Sequence, residues 1–227
     1  MGGIEWYDKI AKKLGGYKKN WNSSKRGLSG EEVFERKLIE YLPKYENVLD
    51  IGCGHGEFTI NMAPYVRNII GMDFSEEMIK CANKYLSEYN ISNVKFYHGD
   101  IKQENKLKEN EFDFIYDRRG PTSIIYNHSC LKSGGKILGI HSAELDRVKK
   151  LLYNNGFIDI NIEEFEAEEI FDDEYEFAKY LSRIPGNKDY TYLDNKEELK
   201  ELVKQYTFKG EIVVQEWRYI WEAKKPL

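Results

Sequence analysis

Short apolar runs, each with an acid at or near its end, alternate with helix-like stretches along most of the chain. Val48–Ile51 is such a run, with Asp50 inside its last two positions, and it breaks into Gly52-Cys53-Gly54-His55-Gly56. Asn68–Met72 ends in Asp73, Val94–Gly99 alternates toward Asp100-Ile101, and Phe112–Tyr116 ends in Asp117. Runs this short, bounded by turn residues, predict buried strands. Lys136–Ile140, Phe157–Ile162 and Glu211–Trp221 add three more. Between them the apolar spacing turns helical: Glu57–Ala63 before Pro64, a helix from Glu76, and Glu144–Asn155 with Leu145, Val148, Leu151 and Leu152 on one face. Strands that alternate with helices predict a parallel sheet covered on both faces.

Ahead of the first run, Trp6, Tyr7, Ile10 and Leu14 share one face of a short helix stopped by Gly15-Gly16. Ser29 with Glu32 reads as a capping box for a helix to about Leu42, in which Val33, Phe34, Leu38 and Ile39 are the buried positions. Ser75 is the expected N-cap of the helix at Glu76. Pro121-Thr122-Ser123 is expected to start a helix through Ile125, and Asn195 one that contains Leu199, Leu202 and Val203.

Glycine at every second place after a strand permits positive φ and lets a ligand lie against bare backbone. A dinucleotide fingerprint needs its third glycine where this chain has Glu57, and a carboxylate at a helix start opposes a pyrophosphate. The spacing Asp50-x-Gly52-x-Gly54-x-Gly56 instead resembles the first motif of the class I S-adenosylmethionine-dependent methyltransferases. Asp73 lies 21 places after Gly52, where an ionised carboxylate accepts hydrogen bonds from two ribose hydroxyls; capping is the plainer alternative. Phe74 is read as packing near an adenine or as filling a gap.

The resemblance covers about residues 30 to 160 and, loosely, the final strand. It implies an α/β, doubly wound, mostly parallel seven-stranded Rossmann-like sheet with the last strand antiparallel and helices on both faces. It implies that Asp100 accepts from the adenine amino group while Ile101 packs on the ring. Asp50 is assigned to the amino acid end of the cofactor, directly or by orienting the turn. Gly52, Cys53, Gly54, Gly56 and Met78 complete the expected cofactor contacts, with Cys53 a small filler and not a nucleophile.

The end of the fourth strand faces the transferable methyl in that family. Asp117 stands there, but Arg118-Arg119-Gly120 replaces the prolines and aromatic of members that methylate planar amino nitrogens. Arg118 and Arg119 invite a substrate carboxylate or phosphate, or else neutralise Asp50, Asp100 or Asp117. Asp117 and His141 are the candidate general bases, His141 because its usual pKa is near 6.5. Tyr17 and Trp21 lie in a polar, basic, aromatic stretch that reads as a lid, a substrate contact or a solvated tail.

The chain of 227 residues, with net charge −5, is expected to form one domain: an N-terminal lid or tail over 1–28, then 29–227. Within the latter, an acid-rich insertion at about 163–193 is expected as a substrate cap or a solvated helix face. Acidity disfavours broad capture of nucleic acid. No apolar run approaches the roughly 20 residues of a membrane span, and the N-terminus has no signal-peptide core. Three scattered cysteines, Cys53, Cys81 and Cys130, suggest reduced thiols in a cytoplasm.

These readings converge on a methyltransferase that moves a methyl group by in-line displacement from S-adenosyl-L-methionine to an N or O acceptor, leaving S-adenosyl-L-homocysteine and using no metal. The expected acceptor is a small molecule, and the expected state a monomer or homodimer away from membranes. The alternatives are an RNA methyltransferase, a nucleotide-binding oxidoreductase and a non-catalytic binding module.

Overall fold

The computed structural model describes residues 3–102 and 107–227; Met1 and Gly2, part of the expected N-terminal segment, lie outside the described residues. The chain runs α1 (Ile4–Leu14), β1 (Ser23–Gly27), α2 (Gly30–Tyr41), β2 (Asn47–Ile51), α3 (Glu57–Met62), β3 (Asn68–Asp73), α4 (Glu76–Leu86) and β4 (Val94–His98). It continues through β5 (Phe112–Arg118), β6 (Leu131–His141), α5 (Leu145–Asn154), β7 (Ile158–Phe171), α6 (Glu174–Leu181), α7 (Lys196–Tyr206), β8 (Thr207–Phe208) and β9 (Glu211–Lys224).

One sheet has the order β1-β7-β9-β6-β5-β2-β3-β4, with β8 hairpinned onto β9. The strands β4, β3, β2, β5 and β6 are mutually parallel, and β9 enters antiparallel between β6 and β7. These seven make the expected sheet. Two more strands were not expected: the short β8, and β1, drawn from the N-terminal segment onto the free edge of β7.

Side chains of a strand point alternately to opposite faces, and β2 shows the consequence. Val48 joins Phe34, Leu38, Ile60 and Leu138 in the core on one side, while Leu49 and Ile51 join Ile115, Ile137, Val148 and Leu152 on the other. Both faces of the middle strands are thus dry, which is why their sequences are continuous apolar runs. In β5 the alternation slips at a register shift between Phe112 and Phe114, so that these two residues face opposite cores.

Several local expectations are corrected. The capping box is absent, because the Ser29 hydroxyl donates to Glu216 (3.3 Å) and receives Lys25 Nζ (3.0 Å) instead of capping α2. Leu14 is exposed, and the stretch after Pro121 is a single 3₁₀ turn, Thr122–Ile125. Ser75 does cap α4, accepting from the Met78 N–H at 3.1 Å.

The acid-rich stretch from Glu163 runs through the second half of β7 and into the start of α6. Its carboxylates meet basic partners: Arg26 reaches Glu168 at 2.7 Å, and Lys37 reaches Glu163 at 2.7 Å. Glu169 accepts from Trp21 Nε1 (2.9 Å) and Ser23 Oγ (2.6 Å). Exposed pairs of this kind contribute little stability, but opposite charge on facing strands favours this register over a slipped one. Beyond β7, α6 and α7 fold over a smaller apolar cluster of Phe171, Phe177, Leu181, Tyr190 and Leu199, with Trp21 packed against it. No described helix is long and apolar enough to cross a membrane.

Candidate functional site

The three glycines after β2 all have positive φ: 79° at Gly52, 56° at Gly54 and 79° at Gly56. Their surroundings differ. A Cβ at Gly52 would come within 2.7 Å of Gly120 Cα, and one at Gly56 within 2.5 Å of Phe96 Cζ. Gly52 and Gly56 are therefore required by packing against the β5 loop and β4. A Cβ at Gly54 would meet nothing within 4 Å, so the middle glycine faces open space. The turn is pinned to the next strand, because the N–H groups of Gly52 (2.7 Å) and Cys53 (3.1 Å) both donate to the Met72 carbonyl. Burial, with Asp50 and Asp73 nearby, pushes the Cys53 thiol well above its usual range, so it stays protonated.

Asp50 is buried, and its Oδ2 accepts from Thr59 Oγ1 (2.6 Å) and Tyr116 OH (2.9 Å). Burial raises its pKa to about 7 against those two hydrogen bonds. It ties α3 and β5 to the strand before the turn, in keeping with the orienting role. Asp73 uses both oxygens: Oδ2 accepts the Gly54 N–H at 2.9 Å and Oδ1 the Ser75 N–H at 2.9 Å. Burial raises its pKa, while those backbone donors pull it down. Each oxygen retains a second lone pair for a ligand hydroxyl.

The next strand end lies alongside, since Asp73 is in register with His98 and its carbonyl receives the Gly99 N–H at 3.0 Å. Asp100, half-buried, accepts the Lys102 N–H at 2.9 Å. Ile101 and Met78 are not brought to the turn. The Ile101 side chain packs into the core with Met72 and Ile115, and Met78 is enclosed beneath α1 by Ile10 and Ala11.

The N-terminal segment roofs this edge. The Tyr7 ring meets Phe74 edge-on at 5.2 Å, and Tyr17 lies 5.9 Å from Tyr7. The Tyr17 N–H donates to His55 Nδ1 at 3.3 Å, and His55 Nε2 lies 3.1 Å from Glu57. Ser75 Oγ donates to Asp8 at 2.6 Å. Burial raises the pKa of both tyrosine hydroxyls. Trp21 is placed apart from the turn, bonded to Glu169 and edge-on to Tyr180 at 5.4 Å.

At the ends of β5 and β6, Asp117 Oδ2 lies 3.1 Å from His141 Nε2, and Asp117 Oδ1 accepts the Gly120 N–H at 2.5 Å. Both side chains are buried, and His141 stacks on Trp221 with an 11° interplanar angle. Two of the predicted residues are thus a pair. Arg118 and Arg119 turn to Glu31 at the start of α2, at 3.0 and 3.1 Å. Arg118 also lies 4.2 Å over the Phe58 ring. Glu31, and none of Asp50, Asp100 or Asp117, is therefore their ion-pair partner, although the Arg118 charge still acts against the raised pKa of Asp50. Glu31 escaped sequence reading because it stands 87 positions from Arg118 and looks like an ordinary first-turn acid. Three arginine fields, from Arg119, Arg118 and Arg218, hold its carboxyl below the usual range despite burial.

A family model described as a methyltransferase domain matches residues 42–223. Among curated relatives, a demethylmenaquinone methyltransferase of Listeria monocytogenes is 35% identical over 84 residues, 36% of this chain and 35% of the relative. The match thus spans about a third of that relative's length. A solved structure of a functionally unknown protein from Deinococcus radiodurans superposes with TM-score 0.67 and 23% identity, covering 98% of this chain and 100% of that one. A phosphoethanolamine N-methyltransferase from Haemonchus contortus, solved with phosphomonomethylethanolamine and S-adenosylhomocysteine, gives TM-score 0.55 and 18% identity over 85% of this chain and 53% of that one. With more than half of the chain inside the matched domain and the sheet order as described, this protein belongs to the class I S-adenosylmethionine-dependent methyltransferase family.

Proposed function

We propose that this protein binds S-adenosylmethionine at the glycine turn and methylates a nitrogen or oxygen of a small-molecule acceptor. The observation that carries the reading is the open space at Gly54 with the Asp73 carboxylate beside it. The residues present fit a nucleoside without phosphates: spare carboxylate lone pairs at Asp73 and Asp100 suit hydroxyl and amino donors, and Phe74 offers an apolar wall. Glu57, at the first turn of α3, disfavours a pyrophosphate at the same place. When bound, the cofactor supplies a methyl group on a positively charged sulfur.

The chain's own work is alignment and, for an acceptor that carries a proton, its removal. In the tautomer that donates Nε2–H to Asp117, the lone pair of the imidazole is on Nδ1. Asp117 holds that tautomer and stabilises the ring once it is protonated. The N-terminal segment with Tyr17 forms the roof, and the α6–α7 region is the candidate cap. A small acceptor fits the net charge of −5 and the acidic β7 better than an RNA backbone does, and a relative named for a small-molecule substrate supports the same class.

Calorimetry with S-adenosylmethionine and NAD in parallel tests the reading. Saturable binding of the first alone is expected; binding of NAD alone would overturn it in favour of an oxidoreductase. Tight, strongly salt-dependent binding of RNA would move the acceptor to nucleic acid.

A further inference from the structure

Asp117, Gly139 and Trp221 are register partners across β5, β6 and β9, so they form one row on one face of the sheet. Gly139 is the gap in that row, and the Trp221 indole fills it. A Cβ at Gly139 would run into Cε2, Cζ2 and Nε1 of the indole, the last at 2.5 Å. Gly139 lies within β6 without a positive φ. Room for the ring, and not a backbone turn, therefore excludes a larger residue there.

His141, two residues on from Gly139, stands on the same face beside that ring. Its imidazole lies within 11° of parallel to the indole, with centroids 6.3 Å apart, inside the range of offset stacking. Tyr219, the register partner of His141, has its ring 6.1 Å away. The Tyr219 hydroxyl donates to the Ala143 carbonyl at 2.7 Å, which ties down the chain just after His141. His141, Tyr219 and Trp221 are all buried.

A buried tryptophan usually finds a partner for its N–H. Trp221 Nε1 is buried with none, a cost that an apolar side chain would avoid. Hydrogen bonding thus gives no reason for an indole at this position. What its neighbours Gly139 and His141 meet is the flat ring itself. The torsion that turns an imidazole is broad and has no sharp minimum of its own, so the plane of His141 is set by what packs against it.

We propose that Trp221 is a positioning residue for methyl transfer: its indole, laid over Gly139, holds the His141 imidazole in the plane in which Nε2 meets Asp117. This rests on the methyltransferase reading, in which His141 takes a proton from the acceptor. Trp221 acts through His141. With the flat face removed, the imidazole tilts, its bond to Asp117 at 3.1 Å loosens and water reaches the ring N–H. A base held in one orientation keeps its lone pair aimed without reorganisation.

The test is nuclear magnetic resonance of the full chain with nitrogen-labelled histidine, the His141 ring being identified by its disappearance in His141→Gln. The unmodified chain is expected to show His141 as the Nε2–H tautomer, with that proton slow to exchange with water and an Overhauser contact between the His141 and Trp221 rings. Trp221→Leu should speed the exchange at least tenfold. Trp221→Phe, which restores a flat face, should bring it back to within about threefold. Phe112→Leu, a truncation of the same core at the far end of β5, controls for lost stability and should leave the resonance unchanged. If Trp221→Leu does not fold, Gly139→Ala, which pushes the indole aside, takes its place with the same expectation. Exchange as slow in a folded Trp221→Leu as in the unmodified chain, or sped equally by Phe112→Leu, overturns the proposal. So does an Nδ1–H tautomer or a missing ring contact in the unmodified chain, whatever the variants do. Failure of the unmodified chain to bind S-adenosylmethionine in calorimetry would instead sink the methyltransferase reading, and leave the ring geometry standing.

Discussion

The Asp73 carboxylate accepts the Gly54 N–H at 2.9 Å, joining the end of β3 to the one glycine of the turn that looks into open space. A single acid therefore shapes the cradle and borders it. Asp73→Ala should lower S-adenosylmethionine affinity by about 1–3 kcal/mol, the scale of a lost charged hydrogen bond. Titration calorimetry showing unchanged affinity would remove Asp73 from the ribose.

The glycines of the turn should separate in their response to alanine. Both substitutions at positive φ cost roughly 1–2 kcal/mol in backbone strain. Gly56→Ala adds the clash with Phe96 and Ala82 and should lose about 1–3 kcal/mol more. Gly54→Ala should fold better and bind the cofactor at least tenfold more weakly, because its methyl enters the ligand's space. Chemical denaturation and calorimetry on the same two variants check both halves.

Asp50 makes stability depend on pH in a stated direction. Its folded pKa of about 7 stands above its ordinary value of 3.8, so the folded state holds the proton more tightly. The stabilisation is complete below the ordinary value and is lost as pH rises through about 7. Asp50→Asn, which keeps an acceptor for Thr59 and Tyr116, should gain stability relative to the unmodified chain between pH 5 and pH 8. Denaturation curves with a constant difference over that range would contradict the assignment.

Glu31 should matter to stability, and the arginines around it to turnover. Glu31→Ala leaves three guanidiniums facing one another and should cost about 1–3 kcal/mol. Arg118→Ala and Arg119→Ala should impair turnover more than cofactor binding; equal losses in both would reduce them to supports of the fold.

Much of the sheet was legible because strands buried on both faces must be apolar, and helices that cover them must be periodic. The turn and the acids at strand ends were legible for a related reason: chemistry at a sheet edge is local in sequence. Asp73 and Gly54 announce themselves within a short span, and Asp117 and His141 could be named singly, though not as a pair. What stayed hidden depends on distant partners. The acids of β7 read as a substrate cap or a solvated helix face because Arg26 and Lys37 lie more than a hundred positions away. Met78 looked like a cofactor neighbour until α1 was laid over it. Glu31, Arg218 and Trp221 carry no motif and acquire meaning only from what the fold sets beside them.

Acid-ended strands and an open glycine are proposed to grip a nucleoside that carries no phosphate. A crystal structure of the complex with S-adenosylhomocysteine tests it most directly. Ribose hydroxyls are expected on the Asp73 carboxylate, the adenine amino group at Asp100 and the ligand passing over Gly54. Density for the nucleoside elsewhere, or on the turn but out of reach of Asp73, would contradict it.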